Sequence, residues 1–224
     1  MTLAELIASF RVDAMDRAEP YLWDEDTVTR WLNEAQEEAA VRGRLLLDDS
    51  TPAVTTIAVQ AGKASYALHP KVYEIAHLRW QPSAAPHRAR PVVLVTREWM
   101  DRKHPGWRHR LDGDAMYAIQ TERDLRLVPV PREDGVLVLE AYRLPLKPMG
   151  CDGDKPEIHA ASHAYLVYWA LYRAFSQPDA DGFDPQRAAM AEAAFTKYFG
   201  ARPDSDLRRS TRQDLPQVNE TYIF

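Results

Sequence analysis

The hydrophobic period of this 224-residue chain changes twice, and that alternation limits the folds open to it. At the start, Leu3, Leu6, Ile7, Phe10 and Ala14 recur at three- and four-residue steps, which predicts a helix over residues 2–18, ended by Pro20. A second helix is predicted from Asp24, an N-cap residue. Trp23 and Val28 stand where a hydrophobic staple would place them. Its stripe runs Val28, Trp31, Leu32, Ala35 and Ala39 toward Leu46, and Asp48–Asp49–Ser50–Thr51–Pro52 closes it.

From residue 53 the period falls to two. Residues 55–59, 65–68, 72–80, 116–119, 125–130 and 135–143 carry β-branched and aromatic residues in rough alternation and read as strands. Residues 81–91 hold three prolines and read as a loop, and Thr96 can cap a short helix over residues 97–102. Helical spacing returns after Asp154: Ile158, Ala161, Tyr165, Tyr168, Tyr172 and Phe175 form a 3-4-3-4-3 seam. Asp184 then caps a last helix, with Pro185 at its first position, Ala188, Ala191, Phe195 and Tyr198 inside, and Gly200 as the stop.

The expected architecture is therefore α+β. An antiparallel helical core comes from residues 1–50 and 154–200, a small antiparallel β-sheet region is inserted at residues 51–153, and an extended C-terminal arm covers residues 201–224. With 46% hydrophobic residues the chain can bury a real core. The single cysteine, Cys151, excludes an intrachain disulfide and fits assembly in a reducing compartment. Glu5 interrupts the apolar opening, which has no basic region, so a signal peptide is not expected. No apolar run approaches the roughly 20 residues that span a bilayer, so no membrane partner is expected.

Chemistry is sparse. No phosphate-binding glycine pattern, GxSxG elbow or CxxC pair occurs. His159 and His163 have the i, i+4 spacing that puts two zinc ligands on one helical face, but Ala160 stands where a zinc protease has its glutamate. No metal, no cofactor and no catalytic residue is expected. Asp24–Asp26 and Asp48–Asp49 read as helix punctuation, and Glu34, Glu37 and Glu38 as a solvated face.

Charge is unevenly placed. Residues 87–110 carry seven basic residues against two acids, a formal +5 in a chain whose total is −5, with Trp99 and Trp107 interleaved. Arg97, Arg102, Lys103, Arg108 and Arg110 are the candidates for a DNA-facing or inter-subunit surface. Residues 23–49 carry a formal −5 and include Glu34, Glu37 and Glu38. An acidic face on one copy meeting a basic loop on the next would give the head-to-tail contacts that close into rings.

Two stretches resemble the tailed-phage head-to-tail adaptors, also called connector, head-completion or tail-accessory proteins. One is Trp23-Asp24-Glu25-Asp26 followed by Trp31-Leu32-Asn33-Glu34-Ala35. The other is His163 to Phe175 followed by Ala193-Ala194-Phe195 and Tyr198-Phe199-Gly200. The likeness covers residues 3–47 and 156–200. It implies a virion structural protein, not an enzyme, assembled in the host cytoplasm and placed at the head-tail junction. It also implies a ring, typically of twelve copies, between the portal protein and a tail or nozzle protein, with a lumen that passes DNA. On that resemblance residues 201–224 are the portal-docking arm, with Arg208, Arg209, Arg212, Leu215, Val218, Tyr222, Ile223 and Phe224 as its contacts. Fully extended, the arm could reach roughly 70–80 Å. The alternative from the residues themselves is a nucleic-acid-binding module using Arg97 to Arg110.

Overall fold

A computed structural model describes residues 1–109, 113–178, 181–204, 208 and 212–214. In chain order the elements are α1 (Leu3–Ala14), α2 (Glu25–Gly43), β1 (Leu47–Asp48), α3 (Pro52–Thr55), β2 (Thr56–Val59), β3 (Ser65–Ala67) and β4 (Val72–Pro82). After them come β5 (Arg90–Pro91), β6 (Val93–Leu94), α4 (Arg97–Lys103), β7 (Tyr117–Gln120), β8 (Asp124–Val128), β9 (Gly135–Arg143), α5 (Leu166–Phe175) and α6 (Pro185–Phe199). The α+β class read from the sequence holds. Two compact units emerge: Met1–Leu46 with Leu144–Pro203, and Leu47–Arg143 with Asp204–Phe224.

In the helical unit, α1 begins with a capping box. Glu5 N donates to the Thr2 hydroxyl (3.3 Å) and Thr2 N donates to the Glu5 carboxylate (3.0 Å). The expected stripe Leu3, Leu6, Ile7, Phe10 and Ala14 is buried. The helix ends earlier than residue 18, at Met15 in the left-handed conformation (φ 62°). The cause is Asp16, which is buried, pairs with Arg11, and accepts from Leu22 N (2.9 Å) and Trp23 N (3.4 Å). That knot turns the chain before Pro20. Asp24 caps α2 by accepting from Thr27 N (2.7 Å). This helix also stops short of its expected end, because Arg44 turns left-handed (φ 48°).

The C-terminal helices depart from expectation in one respect each. Residues 160–165 form a 3-10 helix, not the first turns of an α-helix, and α5 starts only at Leu166. The tyrosine seam is the half-buried flank of α5. Its buried face is Leu166, Val167, Ala170, Leu171 and Ala174, joined by Trp169 and Phe175. A helix apolar on nearly every side offers several 3-4 stripes, so spacing alone could not choose among them. In α6, Phe199 is buried in place of Tyr198, whose ring stacks flat on Tyr165 with centroids 3.5 Å apart. Trp23 packs edge-on between Phe10 (5.7 Å) and Phe175 (5.9 Å). A Cβ at Gly182 would lie 2.4 Å from the Trp23 ring, so that approach requires glycine.

The second unit holds two sheets, where one was expected. The first has the order β1-β9-β4-β5, with β2 also paired to β9; the second has the order β3-β8-β7-β6. All ladders are antiparallel except β6–β7, which is parallel. Strand β9, the most regular alternation in the sequence, carries β1, β2 and β4. Gln120 in β7 ties the sheets together: it accepts from Ile75 N (3.0 Å) and donates to the Tyr73 carbonyl (3.1 Å), both in β4. Residues 81–91, expected as loop, supply the end of β4, a 3-10 turn at Pro86–Arg88 and the short edge strand β5.

Asp48 is not helix punctuation. It lies in β1, is 4% exposed, and accepts from Arg143 Nε (2.6 Å), Thr51 N (2.9 Å) and Ser50 N (3.1 Å). Burial alone would raise its pKa, but the Arg143, Thr51 and Ser50 hydrogen bonds outweigh that and lower it from 3.8 to about 2. A depressed carboxyl contributes stability that is complete above its unfolded pKa and is lost as the pH falls through its folded one. Asp48→Asn should therefore cost roughly 2 kcal/mol in urea unfolding at pH 7. The deficit should shrink between about pH 4 and pH 2, because the parent chain loses the same contribution there. In the helical unit, Phe195→Ala should cost about 3–5 kcal/mol in the same measurement.

Candidate functional site

Three surfaces were candidates: the basic segment, the acidic helix and the C-terminal arm. In the basic segment, Thr96 caps α4 as expected, accepting from Trp99 N (3.2 Å). Arg97, Arg102 and Lys103 stand exposed on this helix, with no ion pair among the described residues. The other members are engaged. Arg108 pairs with Asp101 and lies over the Trp107 ring at 4.5 Å, while Arg126 approaches the same ring at 5.1 Å. Trp107 is buried, with its indole N–H donating to Asp101 (2.8 Å), so it is no platform for stacking a base. The hydrogen bonds from Arg108 and Trp107 hold the Asp101 carboxyl below its ordinary range. Arg110 lies outside the described residues.

Arg88 and Arg90 have a different office. With Arg132 they converge on Asp114, at 3.9, 3.1 and 3.4 Å respectively. One carboxylate thereby fastens three stretches of chain far apart in sequence. Burial, then the neighbouring guanidiniums of Arg88 and Arg132, lower the pKa of Arg90.

The acidic helix is not a freely solvated face. Glu34 pairs with Arg173 (3.0 Å), and Glu38 with Arg42 (3.0 Å) and Arg202 (3.4 Å). Glu37 is half-buried and also engaged. Arg42 continues inward, over Trp169 at 5.1 Å and Phe195 at 5.2 Å, and donates to Thr196 (3.1 Å). These charges knit α2 to α5 and α6. Asp24, Glu25 and Asp26 at the start of α2 remain exposed.

Of the arm, Arg208 and Arg212 fall among the described residues, while Arg209, Leu215, Val218, Tyr222, Ile223 and Phe224 lie outside them. Arg208 N donates to the Asp204 carbonyl (3.0 Å). Arg212 lies against the sheet unit, donating to the Tyr73 carbonyl (3.0 Å) with Glu122 at 3.6 Å.

The histidine pair does not present two ligands to one side. His159 is the cap of the 3-10 helix and accepts from Ala161 N (3.2 Å). His163 is buried, with one ring nitrogen 2.9 Å from the Ile158 carbonyl and the other 3.1 Å from the Met1 carbonyl. The i, i+4 argument assumed an α-helix, and the 3-10 geometry here removes it. Among the described residues, no three His, Cys, Asp or Glu side chains could hold a metal ion together, and no helix is long and apolar enough to cross a membrane.

Two features escaped the sequence reading. Asn33 clamps the backbone of Met149: its amide donates to the Met149 carbonyl (2.9 Å) and its carbonyl accepts from Met149 N (2.8 Å). The asparagine of the Trp31-Leu32-Asn33-Glu34-Ala35 stretch thus holds the segment leading back into α5. The second is apolar surface on the helical unit, where Val12, Met15, Tyr21, Leu22, Phe183 and Met190 are exposed, Met15 to 81%. Near Val12, α1 and α5 border a cleft of about 430 Å³ that reaches Tyr168. Val12 and Met15 lie off the α1 stripe, which is the signal that could have found them.

The profile of the SU10 adaptor protein family matches residues 1–217. The chain belongs to the SU10 adaptor protein family. No curated protein matches it. SU10 adaptors are phage adaptor proteins, a structural and not an enzymatic class, which accords with surfaces built of paired charges and exposed apolar residues.

Replacing Arg97, Arg102 and Lys103 together by alanine should leave the unfolding midpoint nearly unchanged, since exposed side chains without partners contribute little. Asp101→Asn should speed amide exchange through α4 and release Trp107, read as a shift in tryptophan emission.

Proposed function

We propose that this chain is the head-to-tail adaptor of a tailed phage, assembled in the host cytoplasm and placed in the virion between portal and tail. Copies close into a ring, of twelve on the family's pattern. The C-terminal arm docks on the portal protein, a tail or nozzle protein binds the opposite face, and DNA passes through the lumen. The family match over residues 1–217 carries this reading. The exposed apolar side chains of the helical unit support it, because a lone subunit gains nothing from exposing Met15 and Met190, whereas a neighbour in a ring can cover them.

The alternative, nucleic-acid binding, draws on Arg97, Arg102 and Lys103 alone. Three free cations on a two-turn helix suit transient phosphate contact. The burial of Trp107 removes the stacking that single-strand binders use.

Light scattering and electron microscopy of the chain mixed with its cognate portal should show a ring on the portal, and deletion of residues 201–224 should abolish the complex. A chain that stays monomeric and ignores the portal overturns the reading. Binding of free DNA by α4 should fall with salt at a log–log slope of about −2.7 for three phosphate contacts, and vanish in the triple alanine variant.

A further inference from the structure

Strand β6 is the last strand of its sheet, and its pairing with β7 is parallel. Val93 N donates to the Met116 carbonyl and Val95 N to the Ala118 carbonyl, both at 2.9 Å. Successive residues of a strand direct their backbone groups to opposite sides, so the N–H and C=O of Leu94 point away from β7, toward an open edge. Leu94 is 1% exposed, and leaving two such buried groups unpaired would be costly.

One residue satisfies both. Asp214 N donates to the Leu94 carbonyl (2.9 Å), and the Asp214 carboxylate accepts from Leu94 N (2.7 Å). Aspartate is suited to this task, because its carboxylate supplies the acceptor that a paired strand would offer through its backbone. Two residues earlier, Arg212 meets a second irregularity. The β4–β9 register shifts between Val72 and Glu74, a bulge that leaves Tyr73 outside the regular ladder. The Tyr73 carbonyl accepts from Gln120 and from Arg212, whose side chain is only 17% exposed. Arg212 thus engages the bulge of one sheet and Asp214 the edge of the other.

We propose that Arg212 and Asp214 are the anchor of the C-terminal arm, which docks on the outer edge of β6, so that the length free to reach a partner begins at residue 215. This rests on the adaptor reading and corrects its geometry. Ten residues, 215–224, span roughly 35 Å when extended, about half the reach of an arm freed from residue 201. Two of the residues assigned above to partner docking then divide by role: Arg212 holds the arm to its own chain, and Phe224 belongs to the reaching part.

Amide exchange in the full chain tests the anchor directly. The Leu94 amide should be protected, and Asp214→Ala should speed its exchange at least tenfold while Val95, bonded to β7, keeps its protection. Equal exchange at Leu94 in the two chains overturns the anchor. If the alanine variant loosens the whole sheet, Val95 accelerates too; Arg212→Gln, which touches neither β6 nor β7, then makes the same comparison. With portal bound, Leu94 should stay protected, and the contact of the arm should lie within roughly 35 Å of it. Loss of Leu94 protection on portal binding overturns the proposal, because the arm would then have left β6. Failure of any portal complex to form overturns the adaptor reading instead, and leaves the anchor to be decided by the free-chain comparison.

Discussion

Helix α5 has almost no polar face. Leu166, Val167, Trp169, Leu171 and Phe175 are buried around it, and their removal from water contributes on the order of 10 kcal/mol. That is comparable to the net stability of an entire domain, so the helix must be covered on nearly every side. Its covers are α1, α2 and α6. Two of them lie before residue 47 and one after residue 184, so both ends of the chain are drawn to one core. Everything between is obliged to leave that core and come back to it. The insertion topology follows from one helix that cannot face water.

Within the inserted unit, β9 has the corresponding position. It pairs with β1, β2 and β4, and its last residue, Arg143, neutralises the buried Asp48 of β1. At its first residue, a Cβ on Gly135 would lie 2.3 Å from the Trp80 ring and 2.5 Å from the Gln81 carbonyl, so the ladder closes there only around glycine. Its alternation was plain in the sequence because each inward residue, Leu137, Leu139 and Ala141, is buried and each outward one is not. The N-caps at Thr2, Asp24, Thr96 and Asp184 were legible for a similar reason: capping is a local interaction between residues two or three apart.

What was not legible depends on contacts across long stretches of chain. Nothing near Asn33 announces that it will hold Met149, and nothing near Asp48 announces Arg143. The same holds for Glu34 and Glu38. By charge they read as solvated, but they serve as partners for Arg173, Arg42 and Arg202. The basic segment was misjudged in the same way. Its formal charge was correct, but Asp101 and Asp114 claim Arg108, Arg88 and Arg90. The stripe of α5 failed differently, because too many apolar positions made every helical spacing look satisfied.

The pairing of Leu47 with Tyr142 has a bearing on the order in which this molecule forms. Closing the helical core across the whole insert means joining residues separated by nearly a hundred others. Once β1 and β9 have paired, the same two points lie one strand spacing apart, about 5 Å. The entropic difference between closing the long loop and closing the short one is on the order of 3 kcal/mol. The insert is therefore a splint, and its early folding removes most of the search from the assembly of the helices around α5.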